Sequence, residues 1–185
     1  MKAILMSIRP QHLVNILNGK KTIELRKRFP SDFRGWVYLY CTKAKPYLCR
    51  FFGRHFTTFY LESEVQDDIL VKNGLVVARV WVYNIEETIT INWDTQTQTL
   101  SEFELSVRSC VSIKDLNNDF VDSKAIDISK LEIFDKPKEL GEFYYYKKRL
   151  IDCGMDCPPY FDEVKTQVRK APQSWQYIYI EEEKL

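Results

Sequence analysis

Ile16-Leu-Asn-Gly-Lys-Lys-Thr-Ile-Glu-Leu-Arg-Lys-Arg28 is the stretch on which both fold and function turn. It reads as the end of a helix, a glycine turn and the start of a strand. From Pro10 onward, Leu13, Val14, Ile16 and Leu17 set apolar side chains on one helical face. Pro10 suits a first helical turn, where its missing N–H leaves no bond unmade. Gly19 is the expected stop, because glycine enters the left-handed cap conformation without a Cβ clash. Beyond it, Ile23 and Leu25 fall on one side of a strand, and Thr22, Glu24 and Arg26 on the other. A helix end thus delivers Lys21, Glu24 and Arg26 into a small space beside an apolar strand. That concentration of charge predicts a ligand site.

Ala3–Ile8, before the helix, is apolar on both faces, as a strand buried in a barrel would be. After the breaker Phe29-Pro-Ser-Asp32, the alternation in Trp36–Thr42 predicts a strand with Trp36, Tyr38 and Tyr40 on one face. Residues 43–73 are irregular and carry Arg50, Arg54 and His55 among several aromatic rings. Two readings apply: a hairpin folded over the barrel with buried rings and solvated arginines, or a surface where bases stack and cations track phosphate.

Leu75–Ile85, led in by the Asn73-Gly74 turn, is the strongest strand, and Ile89–Trp93 is placed to pair with its end. Ser101-x-x-Glu104 reads as a capping box for a helix whose apolar repeat is Leu100, Phe103, Val107 and Cys110 or Val111. Lys114–Asp127 reads as polar loop with room for one helical turn, and Leu131–Phe134 as a strand stopped by Pro137. Leu140–Ile151 stays open between strand and binding rim, Cys153–Tyr160 reads as loop, and Trp175–Ile180 as the last strand, before a solvated acidic tail.

Gly19-x-Lys21-x-x-Glu24-x-Arg26 resembles the signature of the ASCH domain, a branch of the PUA-like superfamily of RNA-associated β-barrels. Tyr38-Leu-Tyr-Cys-Thr42, Gly74-Leu-Val-Val-Ala-Arg79, Asp135-Lys-Pro-Lys-Glu-Leu140 and Ala171-Pro-Gln-Ser-Trp175 look like segments of bacterial and phage ASCH chains. The resemblance implies an α+β fold: a PUA-like β-barrel of about six strands, with flanking helices and one long insertion at about 43–73. It implies a single domain over residues 1–185. It also implies binding of RNA or a modified nucleoside in the motif cleft, by Gly19, Lys20, Lys21, Thr22, Glu24 and Arg26, with Trp175 either stacking on a base or plugging the barrel end. Some small ASCH proteins are amidohydrolases of acetylated cytidine that use the motif lysine with a threonine. Here Lys21 matches, but Glu24 stands at the threonine position and Thr22, Glu102 and Glu104 receive no role. An enzyme of this kind would rest on Lys21 as base with Glu24. The third reading is a protein-interaction module in which the motif is a structural ion-pair network.

Composition bounds these readings. The chain has 185 residues, 45% hydrophobic and 29% charged, with a net charge of +1. Any nucleic-acid contact must therefore come from a local basic patch rather than a global field. The N-terminal apolar run is too short for a signal peptide, and no segment approaches the roughly 20 apolar residues of a membrane helix. Five cysteines, an odd number, favour reduced thiols and a cytoplasmic location. Cys153-x-x-x-Cys157 lacks a second ligand pair, so neither metal nor cofactor is expected. Phosphate-loop, serine-elbow and zinc-protease motifs are absent.

Overall fold

The computed structural model describes residues 1–52, 57–64, 71–88, 100–151 and 160–180. Among these residues, ten strands and three α-helices run in the order β1 (Lys2–Ile8), α1 (Pro10–Leu17), β2 (Ile23–Arg26), β3 (Gly35–Cys41), β4 (Tyr47–Phe52), β5 (Thr57–Glu62) and β6 (Val76–Glu87). There follow α2 (Glu102–Ser109), α3 (Ile113–Asp119), β7 (Lys124–Lys138), β8 (Tyr144–Ile151), β9 (Tyr160–Gln167) and β10 (Trp175–Tyr179). Eight strands form one sheet in the order β2-β7-β6-β3-β1-β10-β8-β9, and β4 and β5 pair separately. Only the β1–β3 neighbours run parallel in that sheet.

The architecture is mixed α+β, but among the described residues the sheet does not close into a barrel of about six strands. β2 and β9 remain its two edges. Curvature comes from β6 and β7, whose register shifts between Val76 and Ala78, Trp81 and Val82, and Val82 and Ile85. Such irregularities bend and over-twist a strand pair. The curl carries the β2 edge back toward β1, close enough for Arg26 to hydrogen-bond the Ser7 carbonyl at 2.8 Å. At the other edge the β8–β9 ribbon leaves the sheet, with Leu150, Phe161 and Val164 exposed.

β1 is buried on both faces, as its sequence predicts. Ile4, Met6 and Ile8 enter one core with Val37, Leu39, Val80 and the α1 residues Leu13, Ile16 and Leu17. Ala3 and Leu5 enter a second core on the opposite face with Tyr38, Tyr40, Phe143 and Val168. A third, smaller core joins Ile23 and Leu25 to Leu105 of α2, Leu116 of α3 and Ala125 of β7. The predicted two-sidedness of β2 follows: aliphatics toward α2 and α3, charges away.

Several local readings change. The segment read as polar loop holds α3 and the start of β7. Ser112 accepts the Asp115 N–H at 3.1 Å to cap α3, and Lys124–Asp127 pairs with β2. β7 runs on through Pro137 to Lys138. α2 is capped by Ser101 as expected, but the buried face is Leu105 and Ser109, while Phe103 and Val107 are exposed. Leu140–Ile151 resolves into a 3-10 turn followed by β8. β4 and β5 form an antiparallel pair docked on α1. Asn18 clamps it, accepting the Phe59 N–H at 3.0 Å and donating to the Phe59 carbonyl at 2.8 Å. Phe59 is buried beneath, and the Arg50 guanidinium lies 5.8 Å from its ring centroid. Arg54 and His55, Ile89–Trp93, the Cys153/Cys157 pair and the acidic tail lie outside the described residues.

Candidate functional site

The motif turn is built from backbone bonds that sequence alone does not reveal. Gly19 takes φ +70°, as its place predicts. The Asn15 carbonyl then accepts both the Lys20 and Lys21 N–H, at 2.9 and 3.0 Å. Thr22 N–H donates to the Arg108 carbonyl at 2.8 Å, which fixes the entry to β2 against the end of α2.

Lys21 is 3% exposed. Its Nζ donates to the Ser109 carbonyl at 2.6 Å and lies 3.4 Å from Glu24 Oε2. Ser109 is the last residue of α2, so the ammonium meets the negative end of a helix. The cap that follows, Cys110, is a non-glycine residue at φ 55°, an uncommon conformation. Glu24 is the hub of the cluster, its other oxygen lying 3.0 Å from Arg26 Nε. Arg26 extends further, donating to the Ser7 carbonyl at 2.8 Å and to Ser174 Oγ at 3.3 Å. Its side chain is 17% exposed. Two cations on one carboxylate leave the cluster with one surplus positive charge.

The predicted residues divide accordingly. Lys21, Glu24 and Arg26 are brought together. Thr22 is turned elsewhere: its hydroxyl faces Arg108 Nε at 3.3 Å, and Arg108 in turn pairs with Asp127 at 2.8 Å. Gly19 and Lys20 are exposed at the rim. Trp175 stands edge-on to Phe29 at 5.6 Å and to Tyr177 at 5.5 Å, with its indole N–H donated to the Arg28 carbonyl at 2.7 Å. It packs, partly buried, against the edge of the first core. These two contacts of Lys21, the Ser109 carbonyl and the Glu24 carboxylate, are hydrogen-bond acceptors.

Sequence reasoning missed His12. The imidazole is held below its ordinary value of 6.5. Loss of hydration is the largest cause; Glu24 opposes it, and Lys21, Arg26 and Arg9 reinforce it. A signal was present: His12, Asn15 and Gly19 are spaced by three and four residues, one stripe of a helix ending at the motif. Ser7, Ser109 and Ser174 were also missed. Two of them act through backbone carbonyls, which carry no side-chain signature.

No family model matches the chain, and no curated protein matches it. Among solved structures that match is a mutant of ZmASCH from Zymomonas mobilis. The two are 17% identical over 76% of this chain and 77% of that one, with a TM-score of 0.40. At those values the likeness assigns no residue a role. Among the described residues no helix is long and apolar enough to cross a membrane.

Proposed function

We propose that the chain binds RNA or a modified nucleoside at the Gly19–Arg26 turn. The observation that carries this reading is the surplus positive charge of the Lys21–Glu24–Arg26 cluster, with Arg26 its most exposed cation. Lys21 is committed to the end of α2 and acts as the anchor. Arg26 offers the remaining donors of a planar fork to phosphate or to a base edge. Glu24, which Lys21 and Arg26 flank, accepts from an exocyclic amine.

The test is binding of a panel of modified nucleosides and short RNAs, with products followed by mass spectrometry, for wild type, Arg26→Lys and Lys21→Ala. Binding weakened about tenfold in Arg26→Lys, with no turnover, supports the reading. Turnover of an acylated cytidine would establish the amidohydrolase instead. Loss of stability in Lys21→Ala, with no ligand bound by any form, would make the cluster purely structural.

A further inference from the structure

Two grooves are bordered by a short strap, Gln167–Pro172. One, of about 580 Å³, is bordered by Tyr145, Lys165 and Gln176; the other, of about 690 Å³, by Ser7, Thr42 and Lys43. Each volume falls within the roughly 300–1,000 Å³ of ligand clefts.

The strap is pinned at both ends. Val168 is 1% exposed, embedded in the second core, and its N–H donates to the Phe143 carbonyl at 2.9 Å. At the far end Ser7 Oγ donates to the Pro172 carbonyl at 2.7 Å, and Ser7 N–H to the Ser174 carbonyl at 2.9 Å. Between these anchors Arg169 and Lys170 are exposed, with no ion pair among the described residues. Their backbone is already ordered, so binding through them forfeits little chain entropy.

Among the described residues that border the two grooves, Lys43, Lys165, Arg169 and Lys170 stand against the carboxylate of Glu139. In a chain of net charge +1, that is a local basic patch of the kind nucleic-acid contact requires. Each groove also has a polar residue with an unmet need. Thr42 Oγ1 in one and Gln176 Nε2 in the other are buried atoms without a hydrogen-bond partner. An unsatisfied buried polar group is costly until something bonds it.

The larger groove shares a wall with the motif. Ser7 borders the larger groove, its hydroxyl holds the strap, and its carbonyl accepts from Arg26. Ser174, just past the strap, takes the other Arg26 contact. We propose that the strap and its grooves track the phosphates of a single-stranded nucleic acid whose nucleotide rests at the motif, so the ligand is a strand rather than a free nucleoside. This rests on the function proposed above. An acidic peptide would meet the same cations, but the shared wall with a base-reading cluster and the Tyr145 ring beside the strap favour a strand that alternates phosphate and π-face.

The test compares an RNA of about twelve nucleotides, a length one such site can hold, with uridine 5′-monophosphate and an acidic peptide of equal charge. The proteins are wild type, Arg169→Ala/Lys170→Ala and Arg26→Lys, and the readout is affinity against salt. In the strap double variant the RNA binds about tenfold more weakly, and the slope of log K against log salt falls by about 1.4, roughly 0.7 per lost phosphate contact. Its uridine monophosphate affinity and melting curve stay those of wild type. Unchanged RNA affinity and slope in that variant overturn the path while leaving the motif reading intact. Peptide binding as tight as RNA overturns it in favour of a protein partner. RNA held no tighter than the mononucleotide by wild type also overturns it. Failure of the motif reading has a separate signature: Arg26→Lys binds every ligand as wild type does.

Discussion

Two positively charged regions of this molecule are joined through Ser7 and are built in opposite ways. At the motif, Lys21 and Glu24 are buried and bonded to each other, to the end of α2 and to Arg26. On the strap, Arg169 and Lys170 stand in solvent between two apolar and hydrogen-bonded anchors. Charge in the first region is largely consumed by the fold, and in the second it is held ready. Ion pairs taken out of water recover little net stability but cost a great deal when half removed. Exposed cations cost little either way. The contrast assigns different work to the two: the motif sets the geometry and reads, while the strap attracts.

The contrast is broken most directly by Lys21→Ala. It leaves Glu24 with one partner and the Ser109 carbonyl with none, so unfolding by denaturant should show a loss of about 3–5 kcal/mol. A loss under about 1 kcal/mol would place Lys21 with the exposed cations. Asn18→Ala removes both bonds of the amide clamp on Phe59. It should cost about 2 kcal/mol and speed hydrogen exchange in β4 and β5 while sparing β1 and β3. Arg169→Ala/Lys170→Ala should stay within about 0.5 kcal/mol of wild type.

His12 sharpens the comparison through pH. Its folded-state value is lowered, so below 6.5 the unfolded chain binds more protons than the folded one. Stability therefore falls as pH drops from 6.5 toward the folded value, and His12→Gln should flatten that dependence in melting curves. Protonation there also adds a third cation beside Lys21 and Arg26, so mononucleotide affinity should rise over the same interval. The smallest effect is at the thiols. Burial pushes Cys41 up to about 12, whereas Cys110 is exposed. Alkylation mapped by mass spectrometry at mildly alkaline pH should mark Cys110 and spare Cys41.

Much of the central sheet was legible because β1, β3 and β6 carry strong β-formers, and burial of β1 on both faces leaves a plain apolar run. The motif turn was legible because Gly19 and the alternation after it leave few conformations. What escaped has physical reasons. α2 shows an apolar repeat at Phe103 and Val107, yet its buried side is Leu105 and Ser109, because the helix docks on β2 with the end that meets Lys21. The start of β7 is polar in sequence because Lys124 and Asp127 stay only half-buried beside Ala125 and Ile126, which supply two different cores from opposite faces. The full ligand set of Arg26 could not be read at all, since Ser7 and Ser174 are brought to it only by the curl of the sheet.

The most direct measurement is the affinity of a short RNA for wild type and Arg26→Lys, read beside their melting curves. Lysine keeps the charge but loses the planar fork. The account predicts affinity weaker by about tenfold with the fold retained. Equal affinity in a folded Arg26→Lys protein would contradict it.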